Sequence, residues 1–202
     1  VFVGNEKEIK AIAERENLDI TSWEIIDAQG EKESAYLAVE LIKKGKADCL
    51  MKGKVATSTI MKAALDKEKG LRGSGILSHI TLIEAPHYHK LLLLTDAALN
   101  IAPDLDTKAG ILQNAVEVAK KLGIGTAKAA VIGAVEKVNQ AMPATLEAAI
   151  LSKMADRGQL KSCIVDGPFA LDNAISRKSC EVKGIKSEVG GDADILLMPD
   201  IE

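Results

Sequence analysis

Residues 129–135 read Ala-Ala-Val-Ile-Gly-Ala-Val, a run without a polar side chain. A short run of this kind is buried on both faces, as a strand of a parallel sheet is. Before it, Ile111, Ala115, Val118 and Leu122 recur at helical spacing, with Gly123 past the end. After it, Leu146, Ala149, Ile150 and Met154 do the same, and Gly158 closes that helix. The next apolar runs, Cys163–Val165 and Ile195–Met198, predict further strands.

The same alternation extends upstream. Asn5 and Glu8 have the spacing of a capping pair ahead of Ile9, Ile12 and Ala13. Trp23–Ile26 predicts a strand, and Leu37, Ala38, Leu41 and Ile42 a helix stopped by Gly45. Cys49–Met51 predicts a short buried strand, and Thr57 a cap for a helix with Ile60, Met61, Ala64 and Leu65 inside. Ile76–Ile83 and Leu91–Leu94 predict two strands. The connection between them, residues 84–90, holds no helix, so they are expected to be antiparallel neighbours. Strands alternating with helices imply an α/β fold with mixed, mostly parallel sheets and flanking helices. Residues 1–75 are expected to form part of a first α/β domain and residues 76–202 a second. Both ends look cut: Val1–Val3 reads as the tail of a strand, and Ile195–Met198 as a strand whose following loop has barely begun.

Composition excludes several function classes. The 202 residues carry 26 basic and 29 acidic side chains, a net charge of −3, which gives no general electrostatic hold on nucleic acid. Aromatic residues are 2%, too few for base-stacking platforms. No unbroken aliphatic run exceeds four residues, the length of Leu91–Leu94, far too short to span a bilayer, and Val1–Gly4 lacks the features of a signal peptide. Cys49, Cys163 and Cys180 form no CxxC pair, so reduced thiols in a cytoplasmic protein are expected rather than disulfides or zinc. His79, His87 and His89 have no acidic or cysteine partner at ligand spacing, so no metal site is expected.

Open α/β sheets bind ligands beyond the carboxyl ends of their strands. The expected exits are Lys52-Gly53-Lys54, Thr95-Asp96, Glu136-Lys137, Asp166-Gly167-Pro168 and Pro199-Asp200. Cys49-Leu-Met-Lys-Gly-Lys-Val-Ala-Thr57-Ser-Thr leads through two lysines into a helix start, a pattern that attracts anions. An ordinary helix start with solvated lysines reads equally well, and the GxxxxGK[ST] spacing of a P-loop is absent. Gly70-Leu-Arg-Gly-Ser-Gly75 sets Arg72 among three glycines, able to bring a guanidinium fork and backbone close to phosphate; a flexible turn is the plainer reading. Asp166-Gly-Pro-Phe-Ala-Leu-Asp172-Asn173 offers two carboxylates and an amide near a strand end, or simply turn chemistry and a helix start. Cys163 is expected in the core, and no GxSxG nucleophile elbow occurs.

Taken together these blocks resemble the phosphate acetyl/butyryltransferase family, most closely its phosphate butyryltransferase branch. The residues that carry the resemblance are Leu50-Met-Lys-Gly53, Gly70-Leu-Arg72 with Leu77-Ser-His79, Leu94-Thr-Asp-Ala-Ala-Leu-Asn100-Ile-Ala-Pro103-Asp, Ala134-Val-Glu-Lys-Val-Asn139 and Met142-Pro-Ala-Thr145. They continue through Ile164-Val-Asp-Gly-Pro168, Ala170-Leu-Asp-Asn-Ala-Ile175-Ser and Gly191-Asp-Ala-Asp-Ile195 to Pro199-Asp-Ile-Glu202.

The resemblance implies reversible transfer of a short acyl group between coenzyme A, a substrate rather than a bound cofactor, and inorganic phosphate, without a metal. It implies two α/β domains of the isocitrate/isopropylmalate dehydrogenase-like kind, a site in the cleft between them, and a homodimer. Candidates for phosphate are Lys52, Thr57 and Arg72; candidates for lining the cleft are Asp96, Asn100, Asn139, Asp166 and Asp172. The family's Ser-Arg element and nearby Asp, its expected chemical groups, fall beyond Glu202. Two other readings stay open. One is another enzyme of this fold, such as an acyl-carrier-protein phosphate acyltransferase or a metal- and nicotinamide-dependent dehydrogenase, whose Asp ligands are not found here. The other is a truncated or degenerate, non-catalytic module for ligand binding or dimerisation.

Overall fold

Asn5 does cap a helix, its side chain accepting from the Glu8 N–H at 3.1 Å. That helix belongs to the first of two compact units, Val1–Ser74 and Gly75–Glu202, in a computed structural model that describes residues 1–73 and 75–201. Ser74 of the glycine-rich segment and Glu202 lie outside the described residues.

The first unit runs β1 (Phe2–Gly4), α1 (Glu6–Arg15), β2 (Ile25–Asp27), α2 (Gly30–Lys43) and α3 (Thr57–Ala64). β1 and β2 pair in parallel, Phe2 opposite Ile25 and Gly4 opposite Asp27. The Asp27 carboxylate accepts from the Glu6 N–H at 2.9 Å, so the end of β2 also holds the start of α1. α2 packs on α3 around Ala35, Val39 and Ala63, small residues that allow close approach, with Tyr36, Leu50 and Ile60 alongside.

Two expectations fail in this unit. Cys49–Met51 forms no strand: Cys49 is exposed, Met51 is 89% exposed, and no described strand pairs with the segment. Three apolar residues without a neighbouring ladder have nothing to hold them in a sheet. Thr57 is not a cap either. It is the first helical residue of α3, after Ala56, and the Ala56 N–H is satisfied from another element, by Glu31 Oε2 at 3.1 Å.

The second unit runs β3 (Ile80–Ile83), β4 (Leu92–Thr95), α4 (Leu105–Lys121), β5 (Ala127–Ile132), α5 (Pro143–Asp156), β6 (Cys163–Phe169), α6 (Leu171–Ile175), α7 (Arg177–Lys183) and β7 (Ile195–Leu197). Its strands form one sheet in the order β3-β4-β7-β5-β6. β3 and β4 are antiparallel, Ile80 opposite Thr95, and every other pairing is parallel. The mixed, mostly parallel sheet is thus as expected. The first strand is shorter, since Ile76–His79 precedes β3 as irregular chain.

Alternation along the strands splits the core between two faces. Leu93, Ala129, Val131, Ile195 and Leu197 meet α4 and α5 on one side. Leu92, Ala130, Ile132 and Leu196 meet Phe169, Ala174 and Val189 on the other. The inner stripes of the helices sit slightly off the expected ones. In α4 the buried residues are Lys108, Ile111, Leu112, Ala115, Val116 and Ala119, and Leu122 is exposed past the end. In α5 they are Thr145, Ala148 and Leu151, with Ile150 turned outward. Buried Lys108 is satisfied by an ion pair with Glu147 between the two helices.

Asp166 does not leave a strand. β6 continues through Gly167-Pro168 to Phe169, and Asp166 lies opposite Ala130. A proline can sit there because β6 is an edge strand, where its missing N–H breaks no ladder. The register slips at this point: three steps of β6 from Asp166 to Phe169 span two of β5, a bulge.

Candidate functional site

β4, β7 and β5 lie side by side and parallel, so their carboxyl ends form one rim of the sheet. Asp96 leaves β4 there, buried. Its Oδ1 accepts from the Ala98 and Leu99 N–H groups at 3.0 Å each, and its Oδ2 from Asn100 Nδ2 at 2.6 Å. Burial pushes this carboxyl up, but the bonds from Ala98, Asn100 and Leu99 outweigh it and hold it below the usual carboxylate range. Asp96 is thus a fixed anion whose lone pairs are engaged. Asn100 also donates to Leu77 O at 3.0 Å, joining this turn to the chain ahead of β3.

Asn139 stands in the loop after β5. Its N–H donates to Thr145 Oγ1 at 2.9 Å and its Oδ1 accepts from the Ala141 N–H at 3.0 Å, which shapes the entry to α5. Asp172 follows β6 on α6. Lys183 reaches it at 3.2 Å, Glu136 of the β5 exit at 3.6 Å and Asn173 Oδ1 at 3.2 Å. Lys183 escaped the sequence reading because nothing local marks it; only the fold brings α7 to the exits of β5 and β6. Asp96 and Asn100 are therefore in contact, and Lys183 ties Asp172 to the β5 exit. Asp166 stands apart, beside a groove of about 480 Å³ shared with Ser152, Asp156 and Lys186.

The opposite end of the sheet holds a second charged cluster that the sequence did not announce. Asp192 binds Lys128 at 2.5 Å, His89 at 2.8 Å and Lys90 at 3.1 Å, and Lys90 also binds Asp194 at 2.8 Å. Burial opposes the Asp192 charge, but the Lys128, His89 and Lys90 bonds hold its carboxyl well below the usual range. These ties fasten the β3–β4 connection to the start of β7. Burial pushes the Cys163 and Cys180 thiols up, away from the reactive thiolate. No group of three or more His, Cys, Asp or Glu among the described residues could hold a metal ion, and no described helix is long and apolar enough to cross a membrane.

In the first unit, Lys52 is exposed and curls toward Val55 O at 3.4 Å, on a groove of about 340 Å³ beside Phe2, Ile42 and Met51. Thr57 is exposed at the start of α3. Arg72 is exposed after a tight turn at Gly70, whose N–H donates to Asp66 O at 3.0 Å. A Cβ on Gly70 would lie 2.4 Å from that same oxygen, so the close approach requires glycine. Neither the lysine nor the arginine has an acidic partner among the described residues.

The model of one family, phosphate acetyl/butaryl transferase, matches residues 4–202. The chain belongs to this family. It is 46% identical to the phosphate butyryltransferase of Clostridium beijerinckii, over all of this chain and 67% of that protein. It is equally 46% identical to the phosphate acetyltransferase of Thermotoga maritima, over all of this chain and 68% of that protein. Among solved structures, a branched-chain phosphotransacylase from Enterococcus faecalis superposes with a TM-score of 0.81 at 31% identity, covering all of this chain and 80% of that one. The phosphate acetyl/butaryl transferase fold therefore accounts for both units of the chain, and its members are named as transferases.

Proposed function

We propose that the protein carrying this chain transfers a short acyl group, butyryl or similar, between coenzyme A and inorganic phosphate. The observation that carries this reading is the near-half identity, over the whole chain, to proteins named phosphate butyryltransferase and phosphate acetyltransferase. In one direction phosphate oxygen attacks the thioester carbonyl, and the sulfur leaves with the bonding pair as the coenzyme A thiolate. In the other the thiolate attacks the acyl phosphate and phosphate departs. Either direction needs the phosphate charge held by fixed positive groups. We assign the charge to Lys52 and Arg72 and a hydroxyl donor to Thr57, with Asn100, Asn139 and Asp172 lining the substrate surface and Asp96 shaping it from beneath. Asp166, inside β6, is the remaining candidate for lining that surface.

The two units are, in this reading, the two α/β domains of the isocitrate dehydrogenase-like architecture, drawn from residues 1–75 and 76–202, in a cytoplasmic homodimer. Edge strand β3 suits a covered edge: Ile80–Ile83 holds no Asp, Glu, Lys or Arg, and Leu82 is 49% exposed.

The test follows the free thiol. Butyryl-coenzyme A should release coenzyme A only when inorganic phosphate is present, with butyryl phosphate formed in equal amount. Thiol release without phosphate would mean hydrolysis and would overturn the reading.

A further inference from the structure

The groove beside Lys52 has a volume of about 340 Å³, which places it at the lower end of the ~300–1,000 Å³ usual for small-ligand sites. Its walls are apolar, with Phe2, Ile42, Leu50, Met51 and Ile60 among them. Lys52 and Lys54 are the only charged side chains among the described residues that line it, and no Asp or Glu joins them. The groove is open to solvent, since both lysines and Met51 are exposed. Apolar walls with positive charge and no negative charge fit an anion that carries a short aliphatic chain. A cation finds no partner there.

The Lys52 ammonium is held loosely. Nζ has only carbonyl oxygens beside it, Val55 O at 3.4 Å and Gly53 O at 3.5 Å. Other lysines are tied to carboxylates: Lys10 to Glu6, Lys44 to Glu40 and Lys153 to Asp156. A carboxylate partner keeps a lysine in its charged form, which cannot act as a nucleophile. Lys183 shows the effect, its bond to Asp172 pushing the amine up from the ordinary lysine value. Lys52 has no such tie among the described residues.

We infer that Lys52 is a self-acylation site. An acyl phosphate lies in the groove, its chain against Leu50 and Ile60 and its phosphate drawn by Lys54. The Lys52 amine, having given one proton to water, attacks the carbonyl carbon. A C–N bond forms and the C–O bond to phosphate breaks. Phosphate leaves with the bonding pair and takes up the proton that the new amide nitrogen sheds. Holding the two reactants side by side supplies the selectivity for this lysine. The amide is uncharged, so the protein loses one of the two charges assigned above to phosphate. The inference rests on the transferase reading, because that reaction supplies the acyl phosphate.

The experiment treats the full-length protein with butyryl phosphate, removes thioesters with hydroxylamine, and maps butyryl-lysine by mass spectrometry. Lys52 should carry about tenfold more label than Lys46, Lys62 and Lys67. Those three are exposed, lie outside the groove and have no carboxylate partner among the described residues. Lys54→Ala should lower the label at Lys52 and leave that at Lys46 unchanged. Labelled protein should show a raised KM for phosphate, and the same treatment should not raise it in Lys52→Arg. Label spread evenly over the exposed lysines, or centred on Lys54, would overturn the inference. So would label that hydroxylamine removes, which belongs to the Cys49 thiol of the same groove, or a phosphate KM untouched by full labelling of Lys52. Mapping needs no turnover, so the two readings fail separately. Selective label at Lys52 in a protein without phosphate-dependent thiol release would sink the transferase reading while upholding the acylation site. Thiol release without selective label overturns the acylation site alone.

Discussion

Asp96→Asn changes one atom type in a buried site and should cost far more than its size implies. The carboxylate takes two backbone N–H groups on Oδ1 and Asn100 Nδ2 on Oδ2. An asparagine that keeps its oxygen toward Ala98 and Leu99 must aim its own NH₂ at the NH₂ of Asn100. Turning it over moves the clash to the two backbone donors. Asn100 cannot flip in compensation without giving up Leu77 O. One charge-assisted bond is lost, about 1.5–3 kcal/mol, and two others become neutral ones, so the total is about 3 kcal/mol. For a protein of this size that is a fall in Tm of about 10 °C. The pH dependence adds a second signature. The folded carboxyl lies below the unfolded value of about 3.9. Its stabilisation is therefore complete above that value and is lost as pH falls through the lowered folded one. Urea denaturation followed by circular dichroism should show wild type and variant far apart at pH 7 and converging in acid. A variant within about 0.5 kcal/mol of wild type at pH 7, well under one such bond, or a gap that does not change with pH, would refute the reasoning.

Arg72→Ala should raise KM for phosphate about tenfold or more, from the loss of about 1.5–3 kcal/mol of charge-assisted bonding, with KM for acyl-coenzyme A little changed in kinetics that vary both substrates. Gly191→Ala should destabilise by about 3–5 kcal/mol, because its φ is +70° and a Cβ would lie 2.2 Å from Arg177 N. Gly158→Ala, at φ +72° with open space around it, should cost only about 1 kcal/mol; urea midpoints compare the two. Sedimentation equilibrium at micromolar concentration should find a dimer, and Leu82→Lys on the edge of β3 should weaken it; a wild-type monomer counts against the covered edge.

Much of the fold was legible because its strands are short apolar runs set between helices of clear period. The unbroken run at Ala129–Val135 marks a strand buried on both faces, and β5 is so buried, with Ala129 and Val131 in one core and Ala130 and Ile132 in the other. The absence of a helix between Ile83 and Leu91 correctly implied an antiparallel pair. Errors arose where pairing, rather than composition, decides. Cys49–Met51 looks like a strand but has no ladder. Asp166-Gly-Pro looks like an exit, but an edge strand admits the proline and carries on. In the candidate site, Asp96 and Asn100 were visible four residues apart at a strand end, and they do meet. Lys183 and the Asp192 cluster were not visible, because each joins elements remote in sequence. A lone lysine carries no sign of the partners it will find.

The position of β7 bears on how the chain comes to be folded at all. Ile195–Leu197 follows β3, β4, β5 and β6 along the chain, yet it occupies the middle of their sheet, with Leu93 on one side and Ala129 on the other. Until it emerges from the ribosome, β3–β4 and β5–β6 are two half-sheets with bare facing edges, joined by no strand pairing. Pairings so distant in sequence close slowly, and exposed strand edges invite aggregation in the meantime. The sheet can therefore close only once β7 has been made, with that strand entering as a wedge between two halves formed before it. Lesions in Ile195–Leu197 should thus lower the yield of folded protein even where they leave the earlier strands untouched.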